Sequence, residues 1–363
     1  MHLNFYFPAM KKRQAMLPLT VFFCATGFYS LIFAEDGSPF PEVNASILLP
    51  EKSHRIFRLS LERQQKSYAE LVHSLILFHE LKGGTELRPE NQERIGLKVS
   101  TRHAPGLSTP PRLVDAVLAF LRLRGFDAED VFLLDLDAGN LRGAGFLPPI
   151  SSGKKTYRGH RVIALDSRRH FDEDWFHDSP LPPTPDFRAR ITLRFPQDRA
   201  SRLREERRSY LPIPLFLGAH WIGLPVASDD RSIGIDAAAA NGSLWAVDNN
   251  ARFVGKGSVA PAATTEILAV PEYWEKHVFS ILDLSRFQFA SGDRFNASFV
   301  SSEPSLLLGE NPFAIDAFAM ASIGRVRSSV GFKPRSRKDS NLFRFAKELG
   351  LADVEKAELV DFR

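Results

Sequence analysis

A chain of 363 residues, 44% hydrophobic and 25% charged, has the composition of an ordinary globular protein and room for two domains or one large one. Lys11, Lys12 and Arg13 lie within residues 1–34, which hold no carboxylate, so without that segment the formal net charge of +4 falls to +1 and gives no electrostatic argument for a nucleic-acid partner. Cys24 is the only cysteine, which excludes a disulfide, a cysteine nucleophile and a protein-held iron–sulfur cluster from residues 35–363.

The chain opens with three cations, an apolar run over residues 15–34 and then the polar, proline-containing "EDGSPFPE". That order is the pattern of a secretory signal over residues 1–34 and predicts an exported protein, periplasmic or extracellular. The alternative is an anchor that spans a membrane through residues 15–34, the one route by which a membrane enters the reading. Residues 35–52 read as a tether, and Ile56–Leu81 as a helix stopped at Gly83-Gly84. His73 and His79, six apart, do not share a helix face and read as packing residues. Residues 35–93 thus form an N-terminal extension, and residues 94–363 the main domain.

The main domain opens on a strand, Arg94–Ser100, and a loop. A helix follows, "RLVDAVLAFLRLRG", with Thr109 as its expected cap, Pro110 and Pro111 in its first turn and Gly125 as its stop. A buried strand, "DVFLLDLD", comes next. Strand, helix and strand at this spacing make a βαβ unit with parallel strands. Further strands are expected at "HRVIALDS", "IPLFLGAHWIGLPV", "KHVFSILDLSRFQF" and "SLLLG". Further helices are expected at "IDAAAANGSLWAV", "APAATTEILAV", "NPFAIDAFAMASIG" (with Asn311 as cap) and "NLFRFAKELG", before a final strand. The predicted fold class is α/β, a layered α/β/α arrangement on a mostly parallel or mixed sheet with an N-terminal helical extension. Functional loops of such sheets follow the carboxyl ends of the strands, here Lys98–Thr109 and Asp135–Arg142.

Arg94–Gly125, Glu266–Phe289, Leu306–Gly324 and Phe345–Val360 occur in an order that resembles the family called domain of unknown function 362, over about Arg94–Val360. The resemblance implies α/β layers. Some of that family sit beside iron–sulfur modules, for which residues 35–363 have no cysteine. The family's lysine after the first strand falls on Lys98, but Ser100 stands where an asparagine is common. Its Asp-Pro-Val-Ala-x-Asp type of segment falls on "NPFAID", with Asn311 for the first acid and Asp316 kept. "LPVASDDRSIGIDAAAANGSLWAVDNN" replaces a lysine-rich central segment. Ser100–Gly125 is also similar, more weakly, to the opening unit of the nickel-pincer lactate racemase family. Neither resemblance supplies a reaction or a cofactor.

Several clusters carry chemistry. Lys98, Arg102 and His103, with Ser108 and Thr109 at a helix start, suit a phosphate or carboxylate, with His103 or Lys98 as the group that transfers a proton. Asn249, Arg252 and Asp316 are expected at the same rim. Asp135 reads as a strand-end carboxylate that contacts a loop. "HFDEDWFHDSPLPP" offers His170, Asp174 and His177 as metal ligands, yet the gap of seven between its histidines and the prolines that follow favour a charged surface loop. "RSRKDS", with Arg325 and Arg327, reads as a solvated basic face, or as a contact for a polyanion. The functional expectation is an exported protein with a pocket for a small anion at the sheet's carboxyl edge and no defined reaction. The alternative is a non-catalytic binding or scaffold protein that retains the fold.

Overall fold

A computed structural model describes residues 49–62, 64–178, 208–254, 259–292 and 294–362. The signal and tether expectations, apart from residues 49–52, and the proline-rich stretch at residues 180–185 lie outside the described residues. Leu49 opens a single compact unit that runs to the end of the chain. Its first half contains β1 (Arg55–Ser60), α1 (Tyr68–Leu81), β2 (Ile95–Val99), α2 (Pro111–Leu123), β3 (Val131–Asp135), α3 (Ala138–Gly143), β4 (Thr156–Tyr157), β5 (His160–Ala164) and β6 (Phe171–Asp178). The next stretch contains β7 (Arg208–Pro212), α4 (Ile213–Phe216), β8 (His220–Leu224), β9 (Ser228–Asp230), β10 (Gly234–Asp236), α5 (Ala238–Gly242), α6 (Val259–Leu268) and α7 (Pro271–Lys276). The last part contains β11 (His277–Asp283), β12 (Phe287–Gln288), β13 (Val300–Ser301), β14 (Ser305–Gly309), α8 (Pro312–Ser329), α9 (Asn341–Glu348) and β15 (Glu358–Phe362).

Nine strands form one mixed sheet in the order β15-β1-β14-β11-β8-β2-β3-β5-β4. Strands β11, β8, β2, β3 and β5 are mutually parallel, and β14 and β4 run against their neighbours. Successive side chains of a strand face opposite ways, and the core divides accordingly. Ile95, Leu97, Val99, Val131, Leu133, Ile222 and Leu224 pack with α1 and α2 on one side of the sheet. Phe132, Leu134, Trp221, Leu282 and Leu307 pack with helices α4 to α9 on the other. The result is a three-layer α/β/α molecule. Trp221 stacks on Tyr273 at 5.3 Å between ring centres, and the Tyr273 hydroxyl donates to Gly242 O at 2.7 Å. Each large apolar side chain buried this way contributes about 1.5–3 kcal/mol.

Four local expectations change. Residues 55–60 are a strand, because β1 lies between β14 and β15 and pairs Phe57 with both Leu308 and Val360. The helix starts later, at Ser67, where a capping box joins the Ser67 and Glu70 side chains to each other's backbone N–H. "IPLFLGAHWIGLPV" is not one strand: Pro212 and Pro214 start the short α4, and the strand begins only at His220. The small-residue helix α5 stops at Gly242. Finally, residues 171–178 are strand β6, not a loop. It pairs with β7 and is pinned by Trp175 on Phe216 (4.5 Å) and Phe176 on Tyr210 (5.6 Å).

Candidate functional site

The chain leaves β2 for β3 and β5 on one side and later returns to β8 and β11 on the other. The crevice between the carboxyl ends of β2 and β8 is therefore a topological switch point, the usual place for a site in an open α/β sheet. Leu97 and Val99 face the α1–α2 core, so Lys98 between them points to the opposite layer, toward α5. Its ammonium donates to Val99 O (3.0 Å), Asp135 Oδ1 (2.7 Å) and Asn241 Oδ1 (3.1 Å), and the residue is 0% exposed. An ammonium has three protons, and these three acceptors match them. Asp135 also accepts from Leu136 N, Thr101 N and Thr101 Oγ1, at 2.9, 2.7 and 2.6 Å. Asn241 Nδ2 closes the ring by donating to Lys98 O at 3.0 Å.

Beside this closed network, Arg102 lies 3.9 Å over the Trp245 ring. Its Nη1 sits 2.8 Å from Asp236 Oδ2 and 3.5 Å from Asp230 Oδ2. Asp236 also accepts from Trp245 Nε1 at 2.8 Å. Burial pushes the Asp236 carboxyl up to about 6; Arg102 opposes the shift and Asp230 adds to it. Asp316, on α8, accepts from Ala238 N (2.6 Å) and Ala239 N (3.0 Å) at the start of α5. Burial raises it to about 8, against the pull of those two N–H groups and with some help from Asp236. Lys98 and Asp316 therefore hold the same five-residue helix, one through Asn241 and the other at its start. They are gathered by dense packing, since both are 0% exposed.

The remaining expected site residues divide between this rim and another place. His103 is half-buried on the same loop, and its carbonyl accepts from Leu107 N at 2.9 Å. Thr109 does not cap α2, whose N-cap is Pro110. The cause is geometric: the Thr109 hydroxyl is drawn across the crevice to Leu224 O (2.5 Å) and also accepts from Ser100 N (2.8 Å), which ties the ends of β2 and β8 together. Asn249 and Arg252 do not join Lys98. Asn249 donates to Arg208 O at 3.0 Å, and Arg252 donates to Ser209 Oγ (2.9 Å) and His177 O (2.7 Å). These bonds anchor them to β6 and β7.

The same bonds account for the proposed metal ligands. His177 lies 2.5 Å from Glu266 Oε2 and 3.1 Å from Arg252, whereas His170 precedes the opposite end of β6, across an irregularity in the strand. Asp174 is exposed. No group of three histidine, cysteine or acidic side chains able to hold a metal ion occurs among the described residues. Thr101, Asp236 and Trp245, which complete the rim, escaped the sequence reading. The signal for Asp236 and Trp245 was faint: an acid and an indole bracket a run of small residues.

Comparison with family models, curated proteins and solved structures finds no significant match to this chain.

Proposed function

We propose that this is a binding protein rather than an enzyme built on Lys98, and that its buried charged centre fastens the sheet's carboxyl edge. The observation that carries this reading is the saturation of Lys98: each ammonium proton has an acceptor, within 3.1 Å, in a group 0% exposed. A nucleophilic or proton-transferring lysine needs a path to substrate, and full burial supplies none. Local charge supports the same reading. Lys98 and Arg102 face Asp135, Asp230 and Asp236, so the rim has no surplus of cations for an anion. The cationic and apolar opening segment supports export of the chain, and the ordered motifs support kinship with the domain of unknown function 362.

Amine footprinting read by mass spectrometry tests the central point. In the folded protein Lys98 is expected to stay unlabelled while exposed lysines such as Lys82 and Lys333 react. Labelling of native Lys98 at rates near theirs would restore it as a reactive group and end this proposal.

A further inference from the structure

A cavity of about 190 Å³ lies outside the Lys98 centre, between α8 and the loop that leads into α9. Arg327, Lys333, Arg335 and Ser340 are among its lining residues. The two aspartates of β9 point opposite ways, as successive strand residues do. Asp230 faces Arg102, whereas Asp229 faces Arg335 Nε (2.7 Å) and Arg327 Nη1 (3.3 Å) and so holds both guanidiniums at the cavity. Arg327 is fixed further by donating to Lys333 O (2.8 Å) and Phe289 O (3.0 Å). These bonds leave Arg335 Nη1 and Arg327 Nη2 without a protein acceptor among the described residues. Lys333 adds a third, exposed cation.

The hydroxyl of Ser340 is the independent sign of a ligand. Ser340 is 9% exposed and is the N-cap of the eight-residue α9, yet its side chain makes no cap hydrogen bond. Its Oγ is buried with no hydrogen-bond partner. An N-cap serine normally accepts from the first turn, and a buried hydroxyl without a partner costs about 1–3 kcal/mol. Gly234 lies beside Ser340 in the lining: its φ is +96°, and an added Cβ would come within 3.6 Å of Ser340 Oγ. An unsatisfied donor, two guanidinium edges, a lysine and the start of a helix converge on one small space, and all of them prefer an anion.

We propose that this cavity binds a phosphate group, either free orthophosphate or the head of a phosphomonoester whose remainder stays outside. The donors set the class: two guanidinium edges and a hydroxyl match the oxygens of a tetrahedral oxyanion. Ser340 Oγ donates one hydrogen bond to it, and Arg327, Arg335 and Lys333 supply the charge.

Calorimetric titration of the full chain tests the site, with inorganic phosphate in one arm and glycerol 3-phosphate in the other. Binding is expected in at least one arm, and the tighter arm identifies the source. Ser340→Ala should weaken it about ten-fold or more, as loss of a hydrogen bond to a charged group does. Lys333→Ala should weaken it several-fold and lower its salt dependence. Without ligand, Lys333→Ala should leave the thermal midpoint unchanged because Lys333 is exposed, and Ser340→Ala should raise it because it removes a buried hydroxyl that bonds nothing. No heat in either arm would overturn the proposal, and so would unchanged affinity in the Ser340→Ala, Lys333→Ala double variant.

Discussion

Asp316 shows how far one side chain can depart from its solution chemistry. With no exposure and only two N–H donors to compensate, its carboxyl rises from an ordinary value of 3.8 to about 8, and Asp236 nearby rises to about 6. Both groups hold protons when folded that they release when unfolded, between pH 4 and these raised values. Stability from this source is thus full below about pH 4 and is withdrawn as pH rises through 6 and then 8. The thermal midpoint should fall between pH 5.5 and pH 8.5. Asp316→Asn should flatten that slope while lowering stability at pH 5.5 by about 1–3 kcal/mol, because its amide sets a donor against the N–H of Ala238 or Ala239. A midpoint that rises over the same interval, or a slope that the variant leaves unchanged, would refute the assignment. Lys98 teaches the complementary lesson. Its place after the first strand was legible, but whether its charge serves a ligand or the fold depended on Asp135 and Asn241, which lie 37 and 143 residues away.

At the level of elements, local grammar was readable wherever the chain states its own boundaries. Asn311 before Pro312 announced α8, and the Asn311 carboxamide does accept from Phe313 N (3.0 Å) and Ala314 N (3.4 Å). The same side chain donates to Leu351 O at 2.8 Å, a tertiary link that a motif cannot reveal. Asn311→Ala should therefore cost more than an ordinary cap: about 1 kcal/mol for the lost cap plus a comparable amount for the unpaired Leu351 carbonyl, measured by urea unfolding. A loss below about 0.5 kcal/mol would show the link to be idle. Thr109 failed as a cap for an instructive reason. A hydroxyl at a helix start can serve the helix or a neighbouring strand, and Leu224 O, 115 residues on, took it. Residues 55–60 misled in the same way, since "RIFRLS" carries too few turns to separate a helical period from a strand period, and only β14 and β15 decide.

Across the whole molecule, the three layers followed from the alternation of strands and helices, as the βαβ unit at residues 95–135 implied. The order of strands did not. Nothing local says that β1 belongs between β14 and β15, because the pairing joins Phe57 to Leu308 and Val360. The pairing of Arg102 at the rim and of Arg335 in the basic face has a similar explanation. Arg102 and Arg335 are both drawn to the "Asp-Asp" of β9, from opposite sides, so that a single dipeptide divides the charge of two loops.

The position of β1 also governs how the chain reaches this state. Contacts spanning some 250 to 300 residues form slowly, since loop closure must precede them. Until β1 arrives, β14 offers Leu306, Leu307 and Leu308 along an open hydrogen-bonding edge, an invitation to the wrong neighbour in a crowded solution. Recovery of native protein from urea should accordingly decline with chain concentration, and a stoichiometric excess of a free 55–60 peptide should rescue part of the yield by occupying that edge early. Yields independent of both would mean that the strand is guarded from the outset.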